Sequence, residues 1–393
     1  MIKESTMENQ SLTSNWEYGT LEDAVNKGSS NISLNKVKED DGEYKLYSAK
    51  GYNKNISFFH QEKEYLAIIK DGAGIGRVSK HPAKSSVVAT MQYLIPKEGF
   101  DIGFVQYFLN GIDFESHRQG STIPHVYFKD YKSELFPLLP LPQQKQIVAS
   151  LNKAFSAIDI AKANAQQNLQ NVKELFESYL QNVFKNKGDD WKDKKWRELC
   201  HFVRGPFGGS LKKSMFKDSG YVVYEQKHAI HNHFNQLRYF IDEEKFNEMK
   251  RFEVKPGDII MSCSGVTLGR VAIIPDNIPQ GIINQALLKL TPNKEINVEF
   301  LKHWLRSNIF QTIIFEYSGG AAIPNVPAAK ILKEIIISTP NIKEQKRIVS
   351  EIELTQNQTK KLEAIYTQKI ADLEEMKKSV LQKAFSGQLN TVN

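Results

Sequence analysis

The chain carries the same long amphipathic segment twice, and that duplication constrains its architecture more than any other feature. PLPQQKQIVASL, around Gln144, returns as PNIKEQKRIVSEI, around Gln345. A shift of 201 residues pairs Gln144, Lys145, Ile147 and Val148 with Gln345, Lys346, Ile348 and Val349. The same shift, without a gap, pairs Val172 with Leu373, Leu180 with Leu381 and Phe184 with Phe385. In the first copy Val148, Leu151, Phe155, Ile158, Lys162, Ala165, Leu169, Val172 and Phe176 recur in steps of three and four, with no Gly or Pro between them. That spacing predicts a coiled-coil seam on a helix from Gln143 to Phe184, about 63 Å long at about 1.5 Å per residue. The second copy has a looser seam through Ile352, Leu362, Tyr366, Leu373 and Val380, blurred at Thr359 and Lys377. Gly387 is its natural stop. Either copy alone reads as a long amphipathic core helix; two matched copies read as each other's partners.

Upstream of each helix the repeat continues through shorter echoes. GSTIPHV (Gly120 to Val126) matches GAAIPNV (Gly320 to Val326), and GIGRV (Gly74 to Val78) matches TLGRV (Thr267 to Val271). FVQYFL, from Phe104, matches FLKHWL, from Phe300. The offset drifts through these parts and locks in the helices, so the plan is domain, helix, domain, helix. A chain of 393 residues also exceeds one ordinary hydrophobic core. The expected boundaries are a loose tail over 1–14, a first domain over 15–137 and a first spacer helix over 138–186. A linker with the second domain then occupies 187–337, and the second helix and tail 338–393. Short runs such as YKLYSA, EYLAII, YVVYEQ and DIIMSC predict strands, so each globular part is mixed α/β or mostly β.

A net charge of +7 favours an anionic partner such as nucleic acid or a membrane surface. No run of about 18 apolar residues is present to span a bilayer. The two cysteines form no CxxC pair and no disulfide framework, which places the chain most simply in a reducing cytoplasm. The polar N-terminus has no apolar h-region and does not read as a signal peptide. Signatures of chemistry are missing as well. No GxxxxGK[ST], HExxH, GxSxG or HxE…PCxxC pattern occurs, nor the (Asn/Asp)-Pro-Pro-aromatic tetrapeptide of adenine methyltransferases. DGAGIGRV, from Asp71 to Val78, looks like a phosphate-cradling loop, but Arg77 stands where GxGxxG needs its last glycine. Its counterpart SGVTLGRV keeps only Gly265 and Gly269, so the stretch reads as a tight turn between strands, with Gly72 and Gly76 in turn conformations. His228, His231 and His233 are the most metal-like cluster, but no Cys or carboxylate completes a set, and no metal site is expected there.

The plan resembles the specificity subunit of type I restriction-modification systems. The resemblance rests on the helix openings LPLPQQKQIV and TPNIKEQKRIV and on the helix end LQKAFSGQL. In the second domain WRELCHFVRGPFGGS, VKPGDIIMSCSGVTLGRVAII and INQALL add to it. The first domain departs from the pattern. It lacks a clear PGD turn and has DGAGIGRV where the family usually has a Ser/Thr-rich strand before its Gly.

The resemblance implies an α+β fold: two mixed α/β target-recognition domains separated by two long helices, which form an antiparallel coiled coil with pseudo-two-fold symmetry. It implies a bipartite, asymmetric DNA site, one domain per half-site, with the helices setting the spacer. The chain would then catalyse nothing and hold no cofactor. Two modification subunits would bring S-adenosylmethionine for adenine methylation, and restriction subunits would bring ATP and Mg chemistry, in the cytoplasm of a bacterium or archaeon. Reading double-stranded DNA requires Arg, Lys, Asn or Gln at base edges and cations at phosphates. In the first domain the candidates are Lys50, Tyr52, Lys54, Arg118 and His125, with Arg77 either facing DNA or bracing the sheet. In the second they are Arg204, Lys212, Lys213, Gln226, Lys227 and His228, with Arg270 as the counterpart of Arg77. Any one of them taken alone reads as a solvated surface group; the loops as groups are the candidates. A coiled-coil scaffolding protein with two protein-binding lobes is the rival class, and an enzyme with an unrecognised site another.

Overall fold

A computed structural model describes residues 16–317 and 325–388; the expected tail over 1–14 and the residues Gly320 to Pro324 of the second IP-turn lie outside them. The chain divides into two compact units. The first comprises residues 1–166 and 367–393, and the second residues 167–366. Both divisions fall inside long helices, so each unit contains the beginning of one helix and the end of the other.

The first unit holds strands β1 (Tyr18–Thr20), β2 (Val25–Ser29), β3 (Tyr44–Ser48), β4 (Gly51–Ile56), β5 (Tyr65–Ile69), β6 (Val78–His81), β7 (Ser85–Val87), β8 (Met91–Pro96) and β9 (Leu135–Pro137). They form an antiparallel sheet β2-β8-β5-β6, a second sheet β4-β3-β7 and the pair β1-β9. The second unit repeats this layout with β10 (Lys192–Lys195), β11 (Cys200–Arg204), β12 (Tyr221–Tyr224), β13 (Phe240–Ile241), β14 (Ile259–Ser262), β15 (Val271–Ile273), β16 (Gly281–Ile283), β17 (Leu287–Pro292) and β18 (Ile336–Thr339). Its sheets are β11-β17-β14-β15, β13-β12-β16 and the pair β10-β18. In both units the three-stranded sheet contains one parallel pairing, β3 with β7 and β12 with β16.

The central strands are apolar on both faces because both faces are covered. Strand side chains alternate, so Leu66 and Ile68 of β5 pack with Leu94 against the helical side. Tyr65, Ala67 and Ile69 face the smaller sheet, among Leu46, Ile56 and Val87. The second unit sorts in the same way. Ile259 and Met261 join the helical core, whereas Ile260 joins Val222, Tyr224 and Ile283.

Among the helices that pack on these sheets or extend from them are α1 (Ile102–Gly111), α2 (Leu141–Lys185), α3 (Val298–Arg306) and α4 (Ile342–Phe385). In the first unit α2 and α4 run antiparallel. Lys377 is paired with Asp159 at 2.9 Å, and one turn further along α2 Lys162 reaches Glu374 at 2.5 Å. The Lys162 ammonium holds the Glu374 carboxyl below its ordinary range. Seam residues Leu151 and Ile158 are buried, and Val148, Phe155, Leu373 and Val380 are half-buried. Lys377, which interrupts the apolar pattern, lies over the Phe155 ring at 4.9 Å and so covers apolar surface with its stem.

In the second unit Val172 and Ile352 are buried, Leu169, Phe176 and Tyr366 half-buried, and Leu362 exposed. The helix buries Thr359 instead. Its hydroxyl turns back onto the carbonyls of Thr355 and Gln356, at 3.1 and 3.0 Å, so burial leaves no polar atom unpartnered.

The duplicated glutamines anchor each long helix to its domain. Gln144 is fully buried; its Oε1 accepts from the Asp101 amide at 2.8 Å, and its Nε2 donates to the carbonyls of Gly99 and Leu139. Gln345 is fully buried too, accepting from Asn297 N–H at 2.7 Å and donating to the carbonyls of Glu295 and Pro340. Asp101 and Asn297 are themselves the caps of α1 and α3, so one side chain locks a short helix start to a long helix start. Gln345→Ala strands one buried donor and two carbonyls; the expected loss is about 3 kcal/mol in chemical denaturation.

Candidate nucleic-acid interface

The DGAGIGRV loop joins β5 to β6. Gly72, Gly74 and Gly76 all have positive φ, at 89°, 89° and 79°. A Cβ on Gly76 would stand 2.4 Å from the Cβ of Phe114, so neither the space nor the backbone admits a side chain. Two of its three glycine amides are already engaged. Gly72 N–H donates to the Pro124 carbonyl at 2.9 Å and Gly76 N–H to the Ile69 carbonyl at 2.9 Å. A phosphate cradle requires such amides to face a ligand; here they tie the loop to the fold.

The Gly72–Pro124 bond brings the two short sequence echoes together. Asp71 bridges His125, with Oδ1 to Nδ1 at 2.7 Å, and Val126 N–H donates to the Lys70 carbonyl. His125 stacks on Tyr127 with ring centroids 6.0 Å apart. Arg77 Nη2 donates to the Ala49 carbonyl at 2.7 Å, which sets the exposed Lys50 beside it on the β3–β4 turn. Arg77 thus braces the turn and is still solvent-exposed. Tyr52 is exposed and donates to Asn55. Arg118 pairs with Glu115 at 3.2 Å. Lys54 differs from the rest: its ammonium is spent on the carbonyls of Val37 and Lys38, at 2.9 and 2.8 Å.

The second unit builds the same junction from other residues. The β14–β15 loop has positive φ at Gly265 and Gly269, 82° and 76°. Ser264 bridges Asn325, and Val326 N–H donates to the Cys263 carbonyl at 2.9 Å. Gln226 joins the junction, its Nε2 donating to the Ser264 carbonyl at 2.7 Å and its Oε1 accepting from the Ser264 hydroxyl at 3.2 Å. Arg204, at the end of β11, lies against Cys263. Burial pushes that thiol up to about 12, and the guanidinium pulls the other way. Lys212, Lys213 and Arg270 are exposed. Phe207, in the loop after Arg204, is 91% exposed and Val266, in the β14–β15 loop, 90%.

Two candidates have local duties. Lys227 pairs with Glu225 at 3.2 Å. His228 is buried, accepts from the Glu225 amide at Nδ1, and stacks on Phe234. Burial holds its imidazole below the usual histidine range. His231 and His233 are both exposed at the rim of the same loop.

In both units, then, a glycine-cornered loop is clamped to a second loop, and cations, amides and hydroxyls gather around the clamp. These groups bind anions and read hydrogen-bonding edges. Sequence reasoning did not single out Asp71, Ser264 and Asn325, although the two offsets pair Asp71 with Ser264 and His125 with Asn325.

The family described as Type I restriction modification DNA specificity domain matches residues 13–171 and again 188–375. The type I restriction enzyme EcoBI specificity subunit of Escherichia coli is 24% identical over 298 residues, covering 68% of this chain and 61% of that protein. The chain therefore aligns with less than two thirds of that relative's length. The MjaVIII specificity subunit of Methanocaldococcus jannaschii is 23% identical over 296 residues, covering 71% and 68%. Among solved structures, a chain from a study of assembly and conformational transition of the type I R-M system superposes with a TM-score of 0.75. It is 17% identical and covers 96% of this chain and 99% of its own length. The HsdS subunit from Thermoanaerobacter tengcongensis gives a TM-score of 0.65 at 16% identity, covering 98% and 100%. No helix among the described residues is long and apolar enough to cross a membrane.

Proposed function

The chain belongs to the type I restriction modification DNA specificity domain family, and from that premise we propose that it reads a bipartite, asymmetric DNA site. Each clamped loop pair reads one half-site, and the paired helices act as the ruler between the halves. The chain catalyses nothing itself. Two modification subunits supply S-adenosylmethionine-dependent adenine methylation, restriction subunits supply ATP- and Mg-dependent cleavage, and both dock on this chain in the cytoplasm.

The observation that carries the reading is the junction shared by the two units and its changed chemistry. The first presents a carboxylate and an imidazole, Asp71 with His125; the second a hydroxyl and an amide, Ser264 with Asn325. Matching backbones that display different donors and acceptors are what two independent readers of different half-sites require. The test is selection from a random duplex library, with and without the methyltransferase partner. One enriched bipartite motif supports the reading; no enrichment in either condition favours a scaffold with protein-binding lobes and overturns it.

Individual residues separate by the form of the loss. Arg204→Gln is expected to weaken binding by about 1–3 kcal/mol and relax one position of one half-site. Lys213→Ala is expected to leave the motif intact and reduce the slope of log K against log salt by about one. Binding isotherms at several salt concentrations distinguish the two.

A further inference from the structure

The second unit contains a convergent ligand set that DNA reading does not use. Glu299 and His303 stand four residues apart on α3, hence on one helix face. Glu353 reaches them from α4. Each offers one ligand atom, and the three atoms lie within 4.8 Å of one another. His303 is only 4% exposed, and its Nε2 is buried with no hydrogen-bond partner. A polar nitrogen in that condition is unfavourable unless something at the site satisfies it.

The first unit shows what this joint normally contains. The offsets that align the two units place Tyr107 at His303, Asn152 at Glu353 and Gly103 at Glu299. There the joint is closed directly: Tyr107 Oη donates to Asn152 Oδ1 at 2.6 Å. In the second unit the phenol and amide have become an imidazole and a carboxylate, and the glycine has become a second carboxylate. His303 Nε2 is left without the hydrogen bond that closes the first joint.

We propose that Glu299, His303 and Glu353 form a site for a divalent first-row cation of the zinc class, which pins α3 to α4. One imidazole and two carboxylates form an accepted donor set for such ions, with water completing the shell. Bonds of about 2.0–2.2 Å need only a modest inward movement, which the exposed Glu353 side chain can make. Burial, aided by Lys302 and Arg306, holds the imidazole down to about 3, so its lone pair is free. Those two cations oppose a metal. Lys302 contacts Glu299 directly and would be displaced, whereas the charge of Arg306 is partly met by Glu177 as well as Glu299. The two carboxylates supply the charge that a divalent ion requires.

The experiment uses the full chain, stripped with chelator, in a His231→Ala, His233→Ala background that removes the two exposed histidines of the other cluster. Zn(II) alone is titrated by calorimetry with thermal unfolding followed in parallel, and Co(II) is added as a spectroscopic probe. One saturable equivalent, a Tm that rises with Zn(II), and Co(II) d–d bands of low-coordinate N/O ligation are expected. Glu353→Gln, an exposed change that keeps the fold, is expected to weaken binding at least tenfold. Installing the first unit's pair, His303→Tyr with Glu353→Asn, should abolish the Zn(II) response and leave a folded protein. Absence of a saturable equivalent, or one that survives both sets of substitutions, overturns the site.

Discussion

Phe385→Ala is expected to destabilise the first unit by about 3–5 kcal/mol, although Phe385 lies at the far end of the sequence from most of that unit. Its ring packs on Phe104 and Phe108 with centroid distances of 5.0 and 5.5 Å, and it is 4% exposed. Leu381 and Ala384 are buried in the same core. The duplicated partner Phe184 makes the equivalent contact in the second unit, 5.4 Å from Phe300. Each helix therefore begins on the domain that precedes it, and its end completes the core of the other domain. A domain's total stability is about 5–15 kcal/mol, so the loss is a large share of it. Hydrogen exchange monitored peptide by peptide locates the effect. Phe385→Ala should speed exchange in Ile102–Gly111 and spare Val298–Arg306, and Phe184→Ala should do the reverse. Equal effects on both helices from either variant would contradict two separately completed cores.

The helices and the duplication were legible because periodicity and self-similarity are properties of the chain itself. The seam starting at Val148 and the match of Gln144 with Gln345 needed no coordinates. What the glutamines do was not legible. Besides the nearby carbonyls of Leu139 and Pro340, their partners are backbone groups at Gly99, Asp101, Glu295 and Asn297, over forty residues upstream. The apparent defects at Thr359 and Lys377 also depend on context: one is self-satisfied by its own helix, the other covers Phe155.

The loop residues separate for the same reason. Lys50 and Lys54 look alike in sequence, but only Lys54 has two carbonyls from a distant turn within reach. His228 carries the signature of a DNA contact, and burial against Phe234 has given it a capping role. Asp71 and Ser264 open the two matched glycine loops, but no motif assigns either of them a role. Their place is fixed by a pairing with His125 and Asn325 that the offsets encode and only the fold displays.

Removal of one heptad from each long helix is expected to cost the largest share of binding, at least about a thousandfold on the original DNA site. The ion pairs Lys162–Glu374 and Asp159–Lys377 give the register within the first unit. The matched deletions are the seven residues after Lys162 and the seven before Glu374. Whole heptads keep the seam in phase, so both domains retain their helix starts and ends, including the buried Gln144, Gln345, Phe184 and Phe385. Each long helix shortens by about 10 Å, at about 1.5 Å per residue, which is about three base pairs at about 3.4 Å each. Three base pairs also turn the duplex by roughly a third of a helical repeat of about 10.5 base pairs, so the second half-site rotates away from its reader. Random-library selection with the shortened protein should return both half-site sequences unchanged, joined by a spacer about three base pairs shorter, or no motif at all. A shortened protein that still selects the original spacer would show that the helices do not measure it. A changed half-site sequence would show that reading and measuring are not separate functions of this chain.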